Sequence, residues 1–585
     1  MKKMKKVILL LFGFICFLNG KAQTIPSFPG AEGFGAGTLG GRGGQVIYVT
    51  NLNPSGPGSL AEALATPGSR YILFKVSGLI NAAAEVIYGD FTLAGQTSPK
   101  GITVRGFVID EIYDTVGTGN NMIIRHIRSR PNTDSTITGQ GYVLEDAFRF
   151  DGASNTIVDH CSFANAVDEC VQMSNSTHIT LQNCSLAETL GEHYYLGGLL
   201  MNYSTVEHPQ DSISIHHNVW NRIGGRMPEF SCESPYCGSR PLNIELSNNL
   251  IWDQAINIWY NSNIDQTAPL PIDSFFLNMN WVNNYSVSRS TYTGGMISYD
   301  FLNFSSNRFY ANGNKMNLYP TYSDYDLFYC CNDFSTTGNN PNTDFGTLTQ
   351  ESIRHPFPLI SYTPTNQLTN YMYENVGAFP RDSMDRRLFK FLPTNTPALP
   401  PVDSLDYYHD AYILDFNSAN PPSPLTDSDN DGMPDYWENS HGLNNVIQDH
   451  NGTGLSYWLT GIDGYTNLEC YINCLSDYLV SGQTSIACGI NGVTSIQPIS
   501  LYDDDDDVYV YPNPFATQTT LQTSKIFKDA TLTVYNSFGQ QVKQLKNISG
   551  QAVTLHMDTL PSGLYFTRLT QDNKIIARNN LVITD

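Results

Sequence analysis

A short apolar segment ending in His or Asn returns again and again through the middle of the chain, and this recurrence limits the fold more than any other feature. Ile-Ile-Arg-His ends at His126, Ile-Val-Asp-His at His160, Thr-Leu-Gln-Asn at Asn183 and Ser-Ile-His-His at His217. Glu-Leu-Ser-Asn ends at Asn248, Trp-Val-Asn-Asn at Asn284 and Phe-Ser-Ser-Asn at Asn307. The separations run roughly from 23 to 36 residues, a solenoid period. One such repeat cannot bury its own apolar face, whereas stacked repeats can, with strands pairing coil to coil and a polar residue at each bend forming a ladder. The expected fold is all-β, a right-handed parallel β-helix. An ordinary β-sandwich is the rival, but its strands recur every 8 to 12 residues or so. Cys161 and Cys184 occupy equivalent places in successive repeats and are expected to stack inside, as thiols or as a bridge. His160, His216 and His217 read as bend or core residues rather than metal ligands.

The N-terminus sets the compartment. Lys2, Lys3, Lys5 and Lys6 precede an apolar run from Val7 to Leu18, with the small residues Gly20 and Ala22 at a cleavage point, so 1–22 reads as a signal peptide. No later segment reaches about 18 uninterrupted apolar residues. Of eleven cysteines Cys16 leaves with the signal, and the other ten suit an oxidising compartment, with Cys232 and Cys237 a close candidate pair. The formal net charge of −23 argues against nucleic-acid binding. An acidic polysaccharide would meet the same repulsion and would need local arginines or bound metal. The β-helix is expected over 23–390 and a Pro-rich linker over 391–424. A calcium-loop module with helices near Tyr436–Ser440 and Asn467–Leu479 follows over 425–500, and a small β-sandwich over 501–585.

The stretch Phe28 to Gly44, FPGAEGFGAGTLGGRGG, with LAGQTSP at Leu93 to Pro99, resembles polysaccharide lyase family 1, the pectate and pectin lyases. DHCSF at Asp159 to Phe163, DEC at Asp168 to Cys170, HHN at His216 to Asn218 and RMP at Arg226 to Pro228 extend the resemblance over roughly 300 residues in the correct order. The resemblance implies cleavage of galacturonan by β-elimination: a base takes the C5 proton, calcium and cationic side chains stabilise charge on the C6 carboxylate, and the C4 oxygen leaves. It implies that Asp146 and Asp168 hold Ca2+ with Glu169 as a further ligand, and that Arg226 is the base. Arginine as a base is demanding, because a neutral guanidine is scarce in water. The chain departs from the family at Gln172, where a further Asp is common, at Ser231, where a second arginine is usual, and in having no Lys between Lys100 and Lys315. His193 stands near the place of the missing lysine, as a substrate contact or proton carrier. Arg222 and Arg240 are candidate substrate cations. A pectic glycoside hydrolase and a non-catalytic pectin-binding surface protein are the alternatives.

DSDNDGMPDYWE, Asp427 to Glu438, fits a calcium loop, with Asp427, Asp429, Asp431, Asp435 and Glu438 as ligands and Gly432 at the sharp turn. YPNPF at Tyr511 to Phe515, YNSFGQQV at Tyr535 to Val542 and LPSGLYFTRL at Leu560 to Leu569 resemble the C-terminal sorting domain of type IX secretion. That resemblance implies the type IX secretion machinery as a partner and a secreted or outer-membrane surface-attached protein. A monomer is expected.

Overall fold

The computed structural model describes residues 25–110, 119–131, 146–166, 168–189, 199–202, 210–223, 225–231, 240–253, 257–261, 275–290, 294–298, 305–329, 348–397, 423–482, 488–489, 508–513, 515–536, 541–558, 560–571 and 574–584. The signal peptide, His193, the Cys232–Cys237 pair and most of the Pro-rich linker lie outside them. The chain divides into two compact units, 1–497 and 498–585.

The first unit is a parallel β-helix. Three parallel sheets, one of eleven strands and two of nine, run along it; nine coils add one strand to each, and Gln45–Val49 and Thr349–Gln350 extend the first sheet at its two ends. In one coil the chain passes from Ser154–Asp159 in the first sheet to Ser162–Ala164 in the second and Val171–Ser174 in the third. The next coil begins at Thr177–Gln182, in register with Ser154–Asp159. Both faces of these strands are covered in many places, which is why they read as short apolar runs. The interior holds Phe107, Phe148, Phe150, Leu181, Ile215, Ile244 and Trp281.

The repeated His and Asn are explained by backbone conformation. His126, His160, Asn183, His217, Asn248 and Asn283 all have positive φ, from 49° to 56°, at the bend between the first and second sheets. Polar side chains able to bond locally favour this left-handed corner. The next residue forms the interior ladder. Asn218 Nδ2 donates to Asn249 Oδ1 at 3.1 Å, Asn249 Nδ2 to Asn284 Oδ1 at 3.1 Å, and Asn284 Nδ2 to Asn314 Oδ1 at 2.9 Å. Asn284 is therefore a ladder residue one step past its bend. Asn307 precedes its strand and belongs to another position of the coil. Cys161 and Cys184 occupy the ladder row as buried free thiols.

The Gly-rich N-terminal stretch lies as a strap across the first sheet. Phe34 N donates to Ser214 Oγ (3.1 Å), Gly35 N to Thr180 Oγ1 (2.8 Å), Gly40 N to Asn121 Oδ1 (2.8 Å) and Gly41 N to Thr92 Oγ1 (2.9 Å). A Cβ on Gly35 would sit 2.4 Å from Thr156 O, and one on Gly41 2.0 Å from Arg70 O, so only glycine permits this approach. Two helices that the sequence reading missed, Thr365–Asn375 and Ser383–Phe389, cover the second sheet through Leu368, Met372, Leu388 and Phe389.

The acidic loop is followed by the helices Asp435–His441 and Asn467–Ser481, matching both expected helical stretches. This segment packs on the first sheet, where Met433, Trp437 and Leu468 bury against Tyr71 and Leu73, and it carries the disulfide Cys474–Cys488. Among the described residues no helix is long and apolar enough to cross a membrane.

The second unit is an antiparallel sheet of five strands. Its long strand Gln518–Asn536 pairs near its start with Val508–Tyr511 and near its end with Gly563–Gln571, with register shifts along its pairing to Gln541–His556. The core so formed includes Leu521, Phe527, Leu532, Val534, Leu569 and Leu581.

Candidate active site and acidic loop

The segments entering the third sheet bring distant residues together. Asp146 precedes the strand Phe148–Asp151, Asp168 and Glu169 precede Val171–Ser174, and Arg226 precedes Glu229–Ser231. These strands lie in one sheet, the last separated from the second by Leu199–Asn202. Side-chain oxygens of Asp146, Asp168 and Glu169 lie within 4.8 Å of one another. Glu169 N donates to Asp146 Oδ1 at 3.1 Å, tying one coil's carboxylate to the next coil's backbone.

Arg226 stands against this cluster. Its Nη1 is 3.6 Å from Asp168 Oδ1 and also meets Glu169 Oε1, while its Nε is 3.0 Å from Glu229 Oε2. Asp146, Glu169 and Glu229 are buried, whereas the Asp168 side chain is 38% exposed and that of Arg226 20%. Asp168 and Arg226 thus form the wet edge of the site. Arg226 has φ 48°, a left-handed conformation uncommon for arginine and characteristic of positions where surroundings dictate a side chain's aim.

Two members of the site were missed from sequence. Glu229 binds the Arg226 Nε, and its only sequence cue is its place three residues on. Arg149 lies 3.9 Å from Asp146 Oδ2 and 3.8 Å from Asp151 Oδ2, one third exposed. Arg149 and Gln172 are register partners on neighbouring strands. Gln172, at the family's usual acid position, donates from Nε2 to Ser174 Oγ at 3.4 Å and is outside the carboxylate cluster.

Other expected residues fall elsewhere. Arg222 is not a substrate contact: it is buried, with Nε 3.1 Å from Glu188 Oε1, and Arg387 Nη2 lies 2.6 Å from the other oxygen of that carboxylate. The backbone of Arg240 opens a strand of the first sheet, Arg240–Ser247, and its side chain lies outside the described residues. His160 stacks on His126 at 5.1 Å and pairs with Asp159 at 2.7 Å. His217 sits between His216 and Tyr371.

In the acidic loop, Asp427, Asp429 and Asp431 converge, and Asp431 also meets Glu438 and Asp449. Burial, reinforced by Asp431, Asp429, Asp449 and Asp427, pushes the Glu438 carboxyl up to about 8, and burial with Asp427 and Asp449 nearby pushes Asp431 up to about 6. Asp435, a ligand in the sequence expectation, is placed differently from the other four. It accepts from Ser428 N and Oγ, both at 2.7 Å, and lies outside the cluster.

Over 455 residues, 77% of this chain and 92% of the relative, the chain is 27% identical to a protein of Emericella nidulans named probable pectate lyase C. The protein of that name from Aspergillus terreus is 27% identical over 476 residues, 80% of this chain and 97% of the relative. Among solved structures, the thermostable pectate lyase PL 47 is 14% identical and superposes with a TM-score of 0.37, covering 60% of this chain and 97% of that one. Residues 509–584 match the family described as secretion system C-terminal sorting domain. Over most of its length the chain is thus similar to proteins named as probable pectate lyases, and residues 509–584 match a secretion-system sorting domain.

Proposed function

We propose that the protein is a secreted polysaccharide lyase that cleaves galacturonan by β-elimination where Asp146, Asp168, Glu169 and Arg226 converge. The observation that carries the reading is this convergence, with Arg226 Nη1 3.6 Å from Asp168 on the exposed edge of a carboxylate cluster. The donor set fits calcium, a hard cation that takes carboxylate oxygens, and Asp146, Asp168 and Glu169 would hold it. Calcium bound there supplies positive charge toward the C6 carboxylate of the substrate.

The protein's own groups supply the remainder. Arg226, acting as the neutral guanidine after giving a proton to solvent, takes the C5 proton; the C5–H electron pair becomes the C4–C5 double bond, and the pair of the breaking C4–O bond leaves with the oxygen. Glu169 and Glu229 grip the guanidinium from two sides and set its orientation. Arg149, beside Asp146, offers a partly exposed cation to a neighbouring uronate and fills the role that Arg222 cannot. The sorting domain supports export by the type IX machinery to the cell surface or the medium.

Incubation with polygalacturonate and with methylated pectin, calcium supplied, tests the reading. Unsaturated, ultraviolet-absorbing ends are expected. Saturated ends would identify a hydrolase, and pectin binding without turnover, unchanged in Arg226→Ala, a non-catalytic binding protein.

A further inference from the structure

The acidic loop contains more carboxylate than its own segment can neutralise. Asp431 belongs to two convergent groups, one with Asp427 and Asp429 and one with Glu438 and Asp449. Backbone donors hold three of the five: Asp431 N and Gly432 N donate to Asp427 at 3.2 Å, Met433 N donates to Asp431 Oδ1 at 3.1 Å, Asp449 N to Asp431 Oδ2 at 3.0 Å, and Asn444 N to Asp449 Oδ2 at 3.4 Å. Glu438 has no such help. It is 0% exposed and neither of its oxygens has a hydrogen-bond partner, nor do both buried oxygens of Asp429 and Oδ1 of Asp449. A fully buried carboxylate aimed into other carboxylates, without a donor, is the signature of a missing positive charge.

The loop is also attached to the β-helix. The Tyr48 hydroxyl, on the strand Gln45–Val49, donates to Asp427 Oδ2. Lys75, after the strand Arg70–Phe74, donates to Asn430 Oδ1 at 3.0 Å and lies over the Tyr48 ring at 3.7 Å. Between these contacts Gly432 turns with φ 102°, and an added Cβ would meet Leu73 of the β-helix at 2.9 Å and Leu468 at 2.8 Å.

We infer that Asp427, Asp429, Asp431, Glu438 and Asp449, and not Asp435, bind one calcium-class cation that fastens residues 423–482 to the first coils of the β-helix. An all-oxygen, carboxylate-rich set gathered from a loop, a helix and a later turn suits calcium's flexible coordination better than the strict octahedron of magnesium. Asp449 brings the later turn to the ion, and Asp427 links the ion to Tyr48. This site is separate from the proposed catalytic centre and does not depend on it.

The test uses the full mature chain carrying Asp146→Asn and Asp168→Asn, which silence the groove, with calcium titrated by calorimetry and terbium read by luminescence. One site is expected, weakened at least about tenfold by Asp449→Asn and by Glu438→Gln and changed less than about twofold by Asp435→Asn, which keeps an acceptor for Ser428. Hydrogen exchange supplies the second readout: chelation should accelerate exchange in both Asp435–His441 and Gln45–Val49. Absence of binding, unchanged affinity in Asp449→Asn, a loss in Asp435→Asn equal to that in Asp449→Asn, or Gln45–Val49 protection indifferent to chelation would each overturn the inference.

Discussion

Arg226 and Glu229, three residues apart, meet at 3.0 Å through Nε and Oε2, while the Nη1 of the same guanidinium reaches Glu169. A planar fork held at two points has one orientation, and loss of one point tilts it. Glu229→Gln should lower kcat about tenfold with little change in KM, and Arg226→Lys, which cannot span both partners, should lower it at least about a hundredfold. Steady-state rates of unsaturated product measure both, and wild-type kcat in Glu229→Gln would remove its positioning role.

Asp168 is the most exposed member of the carboxylate cluster beside Arg226. Asp168→Asn should raise the calcium needed for half-maximal activity by about tenfold, since fewer charged ligands weaken such sites. An unchanged calcium curve would exclude Asp168 as a ligand.

Arg149 is proposed to face substrate charge. Arg149→Gln should raise KM for unesterified galacturonan about tenfold, worth about 1.4 kcal/mol, and leave methyl-esterified pectin nearly unaffected. An equal rise on both substrates would assign Arg149 a purely structural role.

The interior ladder predicts a stability effect remote from chemistry. Asn249 donates to Ile215 O at 2.9 Å and to Asn284, and it accepts from Asn218. Asn249→Ala leaves buried groups on both neighbouring coils unsatisfied and should cost about 2 to 4 kcal/mol in denaturant unfolding.

His217 is buried, which lowers its pKa to about 4 from the ordinary 6.5. Above pH 6.5 neither state binds the proton, so its neutral form is kept without penalty. As pH falls from about 6.5 to 4 the unfolded chain takes up a proton that the folded one refuses, and stability drops by roughly 3 kcal/mol. His126 and His216 shift in the same direction, chiefly through burial. Thermal unfolding across this window should be less pH-dependent in His217→Asn than in the parent.

The coil was legible because its bends impose a backbone constraint that few residues meet: His126, His160, Asn183, His217 and Asn248 all mark the left-handed corner. Asn284 and Asn307 show the limit of that signal, since Asn also serves the ladder and a strand entrance. The positions of Asp146, Asp168 and Arg226 followed from the motifs, but their company did not. Glu229 and Arg149 come into play through coil-to-coil register, which one sequence does not display. Arg222, a candidate substrate cation by sequence, is buried against Glu188, a carboxylate that Arg387 of the covering helix also pairs. Asp449 lies beyond the reach of a twelve-residue loop template, and Asp435 satisfies the template while serving Ser428 instead.

The strap joins Phe34 to Ser214, 180 positions later. A chain still being synthesised cannot make that bond until the strand Asp211–His216 exists, although Gly41 can meet Thr92 well before then, so the strap can close only in step with the coils it crosses. Closure of the strap therefore reports that the coils beneath it have stacked, and an N-terminal truncation would leave their outer surface bare however well those coils had formed.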